Sequence, residues 1–386
     1  MKIAFDLRRI ANPGIGRYMK CLVEAVLSLR TNHQYLLIMP PGAADLTHGL
    51  ADGVEELVSS AAYYSLREQI ELPRILRGHK IDLLHSPHFL LPLIRPCPAV
   101  VTIHDVIYLA CKEDLPSRLG RLYYHLMMAL AVRLAMRVIT DSEFSKRDIV
   151  RYLGPDAGKI EVIYPGVSSE FRPVDDPATL LAVRQKYGIE HDYILYTGIY
   201  KPRKNHAGLL HAFHRFLALG GDGDLVIAGP VKEGELQLRR LASALGLADQ
   251  LKLTGFVNDD ELRALYSGAR LYACPSLYEG FGFTVLEAMA CGTPVVCSAE
   301  TSLPEVAGDA AYYANARVPA EFGDALWRVY TDDGIRTALI EKGFENLKRF
   351  SWERAAVQTL AVYQLMKMKK TALLQKRDTS IPDQLG

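Results

Sequence analysis

Several features are missing from this chain of 386 residues, and each absence excludes a class of protein. The formal net charge is only +1, so no overall excess of charge favours nucleic-acid binding, and no nucleic-acid partner is expected. No run of about 20 apolar residues qualifies as a membrane-spanning helix. The six cysteines form no CxxC pair and no His/Cys cluster at zinc-ligand spacing. The opening MKIAFDLRRI brings charges too early for a signal peptide, so we expect a cytoplasmic protein with reduced thiols.

The residues that are present form short apolar runs that alternate with helical patterns. Hydrophobic residues make up 49% and charged residues 23% of the chain, which is typical of folded soluble proteins. Runs such as KIAFDL, AVVTIHD, YILYTG and LYACPS have the length and composition of strands that are buried on both faces. Together with the intervening helices they predict an α/β fold of βαβ units with parallel sheets.

The length of the chain predicts more than one domain, because one hydrophobic core rarely supports more than about 250–300 residues. A segment rich in Pro, Ser and Asp, PGVSSEFRPVDDPATL, lies near residues 165–180, and the series of strands restarts after it. We therefore predict two doubly wound domains, residues 1–170 and 171–352, with a ligand cleft between them. The polar residues 369–386 are expected to form a flexible tail.

The first motif is NPGIGRY, which follows the opening strand and precedes a helical pattern. Gly14 and Gly16 allow a tight turn before a helix whose free N–H groups can bind an anion. Arg17 and Tyr18 are candidates for acceptor contact. Met19 occupies the place of the third glycine of a dinucleotide-binding GxGxxG pattern, which disfavours a nicotinamide enzyme. The alternative is an ordinary strand-to-helix turn.

Histidines follow two successive apolar runs, in HSPH and in TIHD. At the end of a parallel strand a histidine can point into the cleft and hydrogen-bond a substrate hydroxyl or carry charge. His104 is the catalytic candidate, and His85 and His88 are candidates for the acceptor side. The alternative for each is a hydrogen-bonded histidine in the core.

The first strand of the second half is followed by the basic loop YTGIYKPRKN. Gly198 begins this loop, and Lys201, Arg203 and Lys204 precede a helix whose amino terminus also favours an anion. A diphosphate would be well held there. The alternative is a solvated basic loop without a ligand.

The segment EGFGFTVLEAMACGTPVV carries two glutamates on an apolar background rich in small residues. Burial of Glu287 on such a helix is costly without a partner, and a pair of ribose hydroxyls is a suitable partner for its two oxygens. Glu279 lies in the glycine-containing loop before the helix. The alternative is that Glu287 pairs with a nearby Lys or Arg.

The stretch RLYYHLMMALAVRLAMR, residues 121–137, mixes apolar and aromatic residues with arginines. It is interpreted as a buried domain helix, with an interfacial helix that touches the inner membrane as the alternative.

Together these motifs resemble the retaining glycosyltransferases of family 4, which have the two-domain GT-B fold. EGFGFTVLE is similar to the signature of that family, two glutamates separated by seven residues, and SLPEVAGDAA, TGFVNDDEL and ITDSEFSKRDI are similar to other recurring segments. The resemblance covers about residues 1–365. It also implies that a final helix, about residues 353–368, packs back on the first domain.

The resemblance assigns a role to each matching residue. Glu287 would hold the donor ribose, Glu279 would contact the transferred sugar, Arg203 and Lys204 would neutralise the diphosphate, and His104 would approach the bond being broken. The residues expected to bind the donor are Gly14, Gly16, Gly198, Arg203, Lys204, Glu279, Gly280, Phe281, Gly282, Phe283, Thr284 and Glu287. Three positions depart from the family pattern: Lys201 replaces a common glutamate, and Phe283 and Thr284 replace a common Leu-Pro.

The expected reaction is transfer of a hexose from a nucleoside diphosphate to an acceptor hydroxyl with retention of configuration. No Asp-x-Asp motif follows a strand, so neither a metal nor another cofactor is expected. The pattern is most similar to bacterial mannosyl- or rhamnosyl-type transferases, which suggests GDP-mannose as donor and a glycan or lipid-linked saccharide of surface polysaccharide synthesis as acceptor. The alternatives are a sugar-nucleotide epimerase of the same shape and a non-catalytic nucleotide-sugar-binding protein.

Overall fold

The computed structural model describes residues 1–12, 14–43, 54–63 and 65–378, with residues 367–378 described by their backbone alone. Two parallel sheets, one after the other along the chain, organise the fold. The inner strands of both sheets are buried almost throughout, as the continuous apolar runs predict, whereas the edge strands are partly exposed. The expected α/β class with two doubly wound halves is confirmed.

The first sheet has seven strands in the order β3-β2-β1-β4-β5-β6-β7. These strands are β1 (Lys2–Asp6), β2 (Gln34–Met39), β3 (Glu55–Val58), β4 (Leu83–Ser86), β5 (Ala99–Thr102), β6 (Arg137–Thr140) and β7 (Ile160–Val162). The helices of this half are α1 (Ile15–Ser28), α2 (Glu68–Gly78), α3 (Ile107–Ala110), α4 (Arg118–Leu134) and α5 (Glu143–Leu153). Two short 3-10 helices cover Lys112–Asp114 and Ala157–Lys159.

The second sheet has six strands in the order β10-β9-β8-β11-β12-β13. These are β8 (Tyr193–Thr197), β9 (Asp224–Ala228), β10 (Leu251–Gly255), β11 (Leu271–Cys274), β12 (Val295–Ser298) and β13 (Ala311–Ala314). Its helices are α6 (Pro177–Tyr187), α7 (His206–Ala218), α8 (Glu235–Ala244), α9 (Asp259–Gly268), α10 (Phe283–Ala290), α11 (Leu303–Ala307), α12 (Pro319–Thr331) and α13 (Asp333–Leu347). A 3-10 turn, Pro202–Lys204, precedes α7.

The strand order reverses between β1 and β4 in the first sheet and between β8 and β11 in the second. Ligands of open parallel sheets bind at such switch points, outside the carboxyl ends of the strands. The loops after these four strands contain the glycine motif, HSPH, the basic loop and Glu279, in that order. The topology therefore brings the sequence motifs to the crevice where a ligand is expected.

The last helix, α14 (Trp352–Asp378), returns to the first domain. It packs along α1, and six of its side chains complete the core that includes Ile3, Phe5 and Tyr18: Ala355, Ala356, Leu360, Val362, Tyr363 and Met366. The helix extends to Asp378, beyond the predicted end near residue 368, so residues 369–378 of the expected tail are helical. Residues 379–386 lie outside the described residues. The predicted boundary at residues 170 and 171 falls between the two sheets.

Helix α4 accounts for most of the apolar stretch at residues 121–137. Met128, Ala131 and Val132 are buried against the sheet, whereas the opposite side of the helix is exposed. No helix in the described part of the chain is both long enough and apolar enough to span a membrane.

Candidate active site between the two domains

The basic loop of the second domain places two cations beside a buried carboxylate. Lys204 Nζ lies 2.5 Å from Glu279 Oε1, and Glu279 is only 8% exposed. Burial alone would raise the pKa of Glu279, but the charges of Lys204 and Arg203 outweigh it and lower that pKa below its ordinary value. The carboxylate is therefore ionised and held in position at the carboxyl end of β11.

Arg203 reaches across to the first domain. Its Nε lies 2.6 Å from Asp114 Oδ2, in an ion pair that is almost fully buried. The two groups are not aligned for a hydrogen bond, and Arg203 Nη1 is also buried without a hydrogen-bond partner among the described residues. A buried guanidinium donor without an acceptor is costly, so the site is suited to an anionic ligand that would accept from it.

The loop after Glu279 is fixed by hydroxyl groups from both domains. The Ser142 and Ser145 hydroxyls of α5 donate to the Gly280 carbonyl over 2.7 and 2.9 Å. Ser302 donates to the carbonyls of Glu279 and Phe281 over 2.9 and 2.8 Å. These bonds hold the amino terminus of α10, whose free N–H groups can bind a phosphate.

The close surroundings of Gly280 explain why the motif requires a glycine at this position. A Cβ atom there would lie 2.6 Å from Asp105 Cβ and 3.1 Å from the His104 carbonyl oxygen. The Glu279 loop therefore lies directly against the loop that follows β5. This contact brings His104 of the first domain beside the charged loops of the second.

His104 forms a close pair with a carboxylate that follows β6. Its Nδ1 lies 2.6 Å from Asp141 Oδ2, and its Nε2 lies 3.3 Å from the Pro87 carbonyl oxygen. Burial lowers the pKa of His104, but the charge and hydrogen bond of Asp141 outweigh this effect, and the net pKa is raised above its ordinary value. Because both ring nitrogens face acceptors, the site favours the imidazolium form.

Glu287 lies on α10 with an arginine of the other domain as its partner. Arg17 Nη1 donates to Glu287 Oε1 over 2.7 Å, and Arg17 Nη2 bonds Asp259. Tyr266 donates to Glu287 Oε2 over 3.2 Å. Burial raises the pKa of Glu287, and Arg17 only partly offsets this. In this structure Glu287 therefore pairs with a basic residue, which was the alternative interpretation of the sequence. The partner comes from the opposite domain.

The structure corrects three expectations for the acceptor side. His85 is fully buried, where it contacts Tyr363 of α14 and Thr102, because β4 continues to Ser86 and directs His85 into the core. Tyr18 is also buried and packs edge-on against His104 with ring centroids 4.6 Å apart, so it supports the histidine. Arg17 faces the carboxylates of the second domain instead of an acceptor site.

His88 lies nearer the cleft than His85. Its Nε2 lies 2.8 Å from Arg9 Nη1, and burial together with the charges of Arg9 and His104 holds its pKa well below the ordinary value. His88 is therefore neutral. Its Nδ1 is buried and has no hydrogen-bond partner among the described residues.

The glycines of the predicted donor site have different structural roles. Gly14 is exposed and takes a positive φ of 76° at the start of α1. Gly16 is buried against the Ile10 carbonyl, and a Cβ atom at residue 16 would lie only 1.9 Å from the carbonyl oxygen. Close packing within its own loop is therefore sufficient to explain why a glycine occupies this position. Gly198 links the ends of β8 and β9 through a bond to the Ala228 carbonyl. Gly282 caps α10 with a φ of 113°.

The aromatic residues of the predicted donor set belong mainly to the core. Phe281 is buried among Tyr164, Phe283 and Phe350, so its side chain does not face the cleft. Phe283 is half-buried between the cores of the two domains. Thr284 lies in the first turn of α10 beside Tyr272. A donor could therefore contact Phe281 through its backbone and not through its side chain.

Two site residues were not singled out from the sequence. Asp141 follows β6 directly, so the strand-end rule that identified the histidines would also have found it. Asp114 lies in a 3-10 turn without any such signal, and only the fold brings it to Arg203. In the described part of the chain, no group of three or more His, Cys, Asp or Glu side chains is arranged to hold a metal ion.

Comparison with known proteins agrees with this geometry. The model of the "Glycosyltransferase Family 4" family matches residues 14–171, and that of "Glycosyl transferases group 1" matches residues 182–346. The chain is 33% identical to O-antigen chain mannosyltransferase B of Escherichia coli over 384 residues, which covers 95% of this chain and 100% of that protein. It is 30% identical to the serotype-specific mannosyltransferase WbdA of Escherichia coli over 265 residues, 68% of this chain and 32% of that protein.

Among solved structures, the chain is similar to Anabaena HepE in complex with UDP-glucose. The TM-score is 0.73 at 22% identity, with 94% of this chain and 100% of that chain covered, and this likeness supports the fold. The matched segments contain His104, Arg203, Lys204, Glu279 and Glu287, the residues that the structure brings to the cleft. The chain therefore belongs to the family 4 glycosyltransferases and has their two-domain GT-B fold.

Proposed function

We propose that this glycosyltransferase transfers mannose from GDP-mannose to a hydroxyl group of a glycan or lipid-linked saccharide during bacterial surface polysaccharide synthesis, with retention of the anomeric configuration. The observation that carries the proposal is the packing of Gly280 against His104 and Asp105. This contact places an ionised glutamate, two cations and a cationic histidine around one crevice. The mannosyltransferase names of two relatives support the choice of sugar and pathway.

The charges of the crevice fit a reaction in which a diphosphate departs. The bond between the anomeric carbon and the diphosphate oxygen breaks, and negative charge grows on the leaving oxygens. Arg203, Lys204 and the amino terminus of α10 stabilise that charge without reorganisation, so the reaction is proposed to need no metal or other cofactor. The acceptor oxygen bonds to the same face of the anomeric carbon, and its proton passes to the departing diphosphate.

The remaining residues position the donor. Glu279 accepts hydrogen bonds from the sugar hydroxyls, and His104 donates from Nε2 to the sugar or to the leaving group in place of its contact with the Pro87 carbonyl. Glu287 accepts from both ribose hydroxyls after Arg17 moves away. His88 and Arg9 contribute to the acceptor side.

Donor identity is tested by thermal shift of the full chain with GDP-, UDP-, ADP- and dTDP-sugars. A bound donor stabilises the fold by mass action, so GDP-mannose is expected to give the largest shift. The variant Glu287→Gln is expected to lose most of that shift, whereas Glu300→Gln, an exposed glutamate paired with Arg317, is the matched control. A larger shift with another nucleotide sugar would overturn the choice of GDP-mannose.

Transfer itself is tested with GDP-mannose and a mannose-terminated oligosaccharide that carries a lipid-like aglycone. Release of GDP together with an α-linked product, assigned by NMR, is expected, and EDTA is expected to leave the rate unchanged. Conversion of the sugar nucleotide without an acceptor would support an epimerase. Binding without GDP release from any acceptor would support a non-catalytic binding protein.

A further inference from the structure

The chain passes between the two domains twice, and the two crossing segments touch each other. The first crossing follows β7 and includes Gly166, and the second ends at Trp352, where α14 begins. A Cβ atom on residue 166 would lie 2.4 Å from the Trp352 backbone nitrogen and 2.6 Å from its ring carbon Cδ1. Any larger residue would prevent this approach, so the two segments are fixed against each other where the domains join.

The indole ring of Trp352 packs against the core of the first domain, where it meets Tyr18. The two ring centroids lie 5.5 Å apart at an interplanar angle of 69°. Tyr18 in turn meets His104, with ring centroids 4.6 Å apart and an interplanar angle of 80°. Edge-to-face contacts are a preferred geometry of neighbouring aromatic rings. Three rings therefore form a continuous row from the domain junction to the candidate catalytic histidine.

A tryptophan is a costly residue at this position. The Trp352 indole N–H is buried and has no hydrogen-bond partner among the described residues. Burial of an unpaired donor destabilises a fold, and each such group calls for an explanation. Leucine or phenylalanine would pack into the same core without that cost. The contacts of the indole ring therefore explain Trp352 better than the volume that it fills.

The other buried histidine of this core shows what the row of rings adds. His85 is fully buried, and its two ring nitrogens have partners within the core, Tyr363 and Thr102. These two contacts are sufficient to fix the His85 ring. The side chain of His104 is 16% exposed, and its Nε2 lies 3.3 Å from a backbone carbonyl oxygen, which is longer than the usual hydrogen bond. Its orientation therefore depends more on other contacts.

Asp141 and Tyr18 supply those contacts. Nδ1 of His104 donates to Asp141 over 2.6 Å, which fixes one corner of the imidazole but leaves the ring free to turn about that corner. The perpendicular ring of Tyr18 packs against the imidazole and opposes such a turn. Tyr18 acts mainly through its ring, because its hydroxyl has only a long contact of 3.5 Å, with Thr102.

We propose that Trp352 and Tyr18 are positioning residues for sugar transfer. The Trp352 indole holds the Tyr18 ring, and Tyr18 holds the His104 ring so that Nε2 is directed at the ligand. Because Trp352 lies at the crossing fixed by Gly166, the orientation of the histidine depends on how the two domains are joined. The effect on transfer rests on the proposed function, since it requires His104 to act on the bound sugar or the leaving group.

The kinetic test uses the full chain with GDP-mannose and the mannose-terminated acceptor. Tyr18→Leu is expected to lower kcat by about tenfold to 30-fold and to change KM for GDP-mannose less than about threefold, because donor contacts remain while His104 is misdirected. Tyr18→Phe retains the ring and is expected to keep kcat within about twofold of the wild type. Trp352→Leu, which leaves the core tyrosine in place, is expected to lower kcat by about threefold to tenfold.

The matched control is Tyr35→Leu, which removes another buried tyrosine from the same core. In the described part of the chain the Tyr35 ring contacts Phe5 and His33, not His104. Urea unfolding is expected to show a similar loss of stability for Tyr35→Leu and Tyr18→Leu, whereas Tyr35→Leu should keep kcat within about twofold. Equal losses of kcat in the two variants would assign the effect to general core packing and overturn the proposal.

A cycle of double variants with His104→Ala separates positioning from loss of structure. If Tyr18 and Trp352 act through His104, then Tyr18→Leu and Trp352→Leu should each change kcat less than about twofold in the His104→Ala background. The same loss in the presence and in the absence of His104 would overturn the proposal.

A measurement without substrate makes the proposal independent of the sugar. In protein with isotope-labelled histidine, the Nδ1 proton that His104 donates to Asp141 is expected to give a downfield NMR signal, assigned by its loss in His104→Ala. Tyr18→Leu and Trp352→Leu should broaden this signal through exchange with water, and Tyr18→Phe should retain it.

Absence of the signal in the wild type, or an unchanged signal in both leucine variants, would overturn the proposal. The expected broadening in an enzyme that transfers no mannose would support the positioning role and refute the proposed function.

Discussion

The second domain pairs two of its own charged side chains at the cleft, whereas the first domain brings histidines to the cleft and supplies charges that pair across it. Lys204 and Glu279 neutralise each other within one domain. Arg17 and Asp114 of the first domain act mainly by pairing with charges of the second. The difference shows that one charged pair of the cleft is complete within the second domain, whereas the pairs of Arg17 and Asp114 exist only when the two domains face each other.

The largest effect is expected from removal of a cation of the second domain. Arg203→Ala is expected to lower kcat for mannosyl transfer by about 10²- to 10³-fold, since it removes a preorganised donor for the leaving diphosphate. Steady-state kinetics of GDP release would measure this. Lys201→Ala is the matched control, because Lys201 lies in the same loop but pairs with the exposed Glu233, and it is expected to change kcat less than threefold.

A loss below tenfold for Arg203→Ala, or equal losses for both variants, would contradict the distinction between the buried and the exposed cation. The burial of Arg203 between the two domains would then have no specific relation to the donor.

The second prediction addresses the cationic histidine of the first domain. Asp141→Asn is expected to lower kcat by about tenfold to 100-fold, because it removes the charge that favours the imidazolium of His104. The activity of the wild type should fall as the pH rises through the raised pKa of His104, and this fall should move to lower pH in the variant. The pH profile of kcat is the measurement.

The free energy of unfolding should depend on pH through the same residue pair, His104 and Asp141. Because the pKa of His104 is raised in the folded protein, its contribution is complete below the usual histidine pKa of about 6.5 and is lost as the pH rises through the raised value. The control is Asp148→Asn, a buried carboxylate on α5 that accepts from Tyr278 of the second domain over 2.6 Å. An unmoved pH profile in Asp141→Asn, or an equal shift in Asp148→Asn, would contradict this role.

A smaller effect is expected at the contact between the domains. If a donor ribose replaces Arg17 at Glu287, then Arg17→Ala removes a competitor and should tighten GDP binding by about threefold to fivefold, the usual range for a partly exposed ion pair. Isothermal titration calorimetry measures this directly. Arg263→Ala is a suitable control, because Arg263 lies on the neighbouring helix α9 and pairs with the exposed Asp260. Weaker binding by Arg17→Ala would show that Arg17 contacts the donor instead of competing with it.

The smallest effect concerns the two cores. Tyr363→Phe removes the hydroxyl that contacts His85 in the first domain, and Tyr193→Phe removes the one that donates to the Leu265 carbonyl in the second. Each is expected to lower the free energy of unfolding by about 1 kcal/mol. Urea unfolding monitored by circular dichroism would detect this, and a loss above about 3 kcal/mol in either variant would indicate a role beyond one hydrogen bond.

Most cleft residues could be predicted from the sequence, because the carboxyl ends of parallel strands meet at one edge of a sheet. Arg203 and Glu279 were identified on that basis, whereas Glu287 was identified from the cost of burying a carboxylate on an apolar helix. For His104 the structure agrees with the expected position, since β5 ends at Thr102 and leaves the histidine beyond the strand. The same rule was wrong for His85, because His85 lies within β4, which ends at Ser86, and the alternation of side chains turns His85 into the core.

The contacts between the two domains could not be predicted from the sequence. Arg17 and Glu287 are separated by 270 positions, and neither residue carries a local sign of the other. Asp114 lies in a turn without periodicity, so its burial against Arg203 follows only from the arrangement of the two domains. Local patterns identify which loops meet a ligand, whereas pairing across a cleft depends on the relative placement of two complete cores.

The return of α14 to the first domain has a consequence for the order in which the protein is made. The core that begins with Ile3 and Phe5 is completed by residues 355–366, which leave the ribosome after the whole second domain. Domains commonly fold as units during synthesis, amino-terminal domain first. Here the side of α1 that packs against α14 stays uncovered until residues 355–366 have been translated, so a nascent chain that stalls inside the second domain would expose an unfinished core to chaperones and proteases.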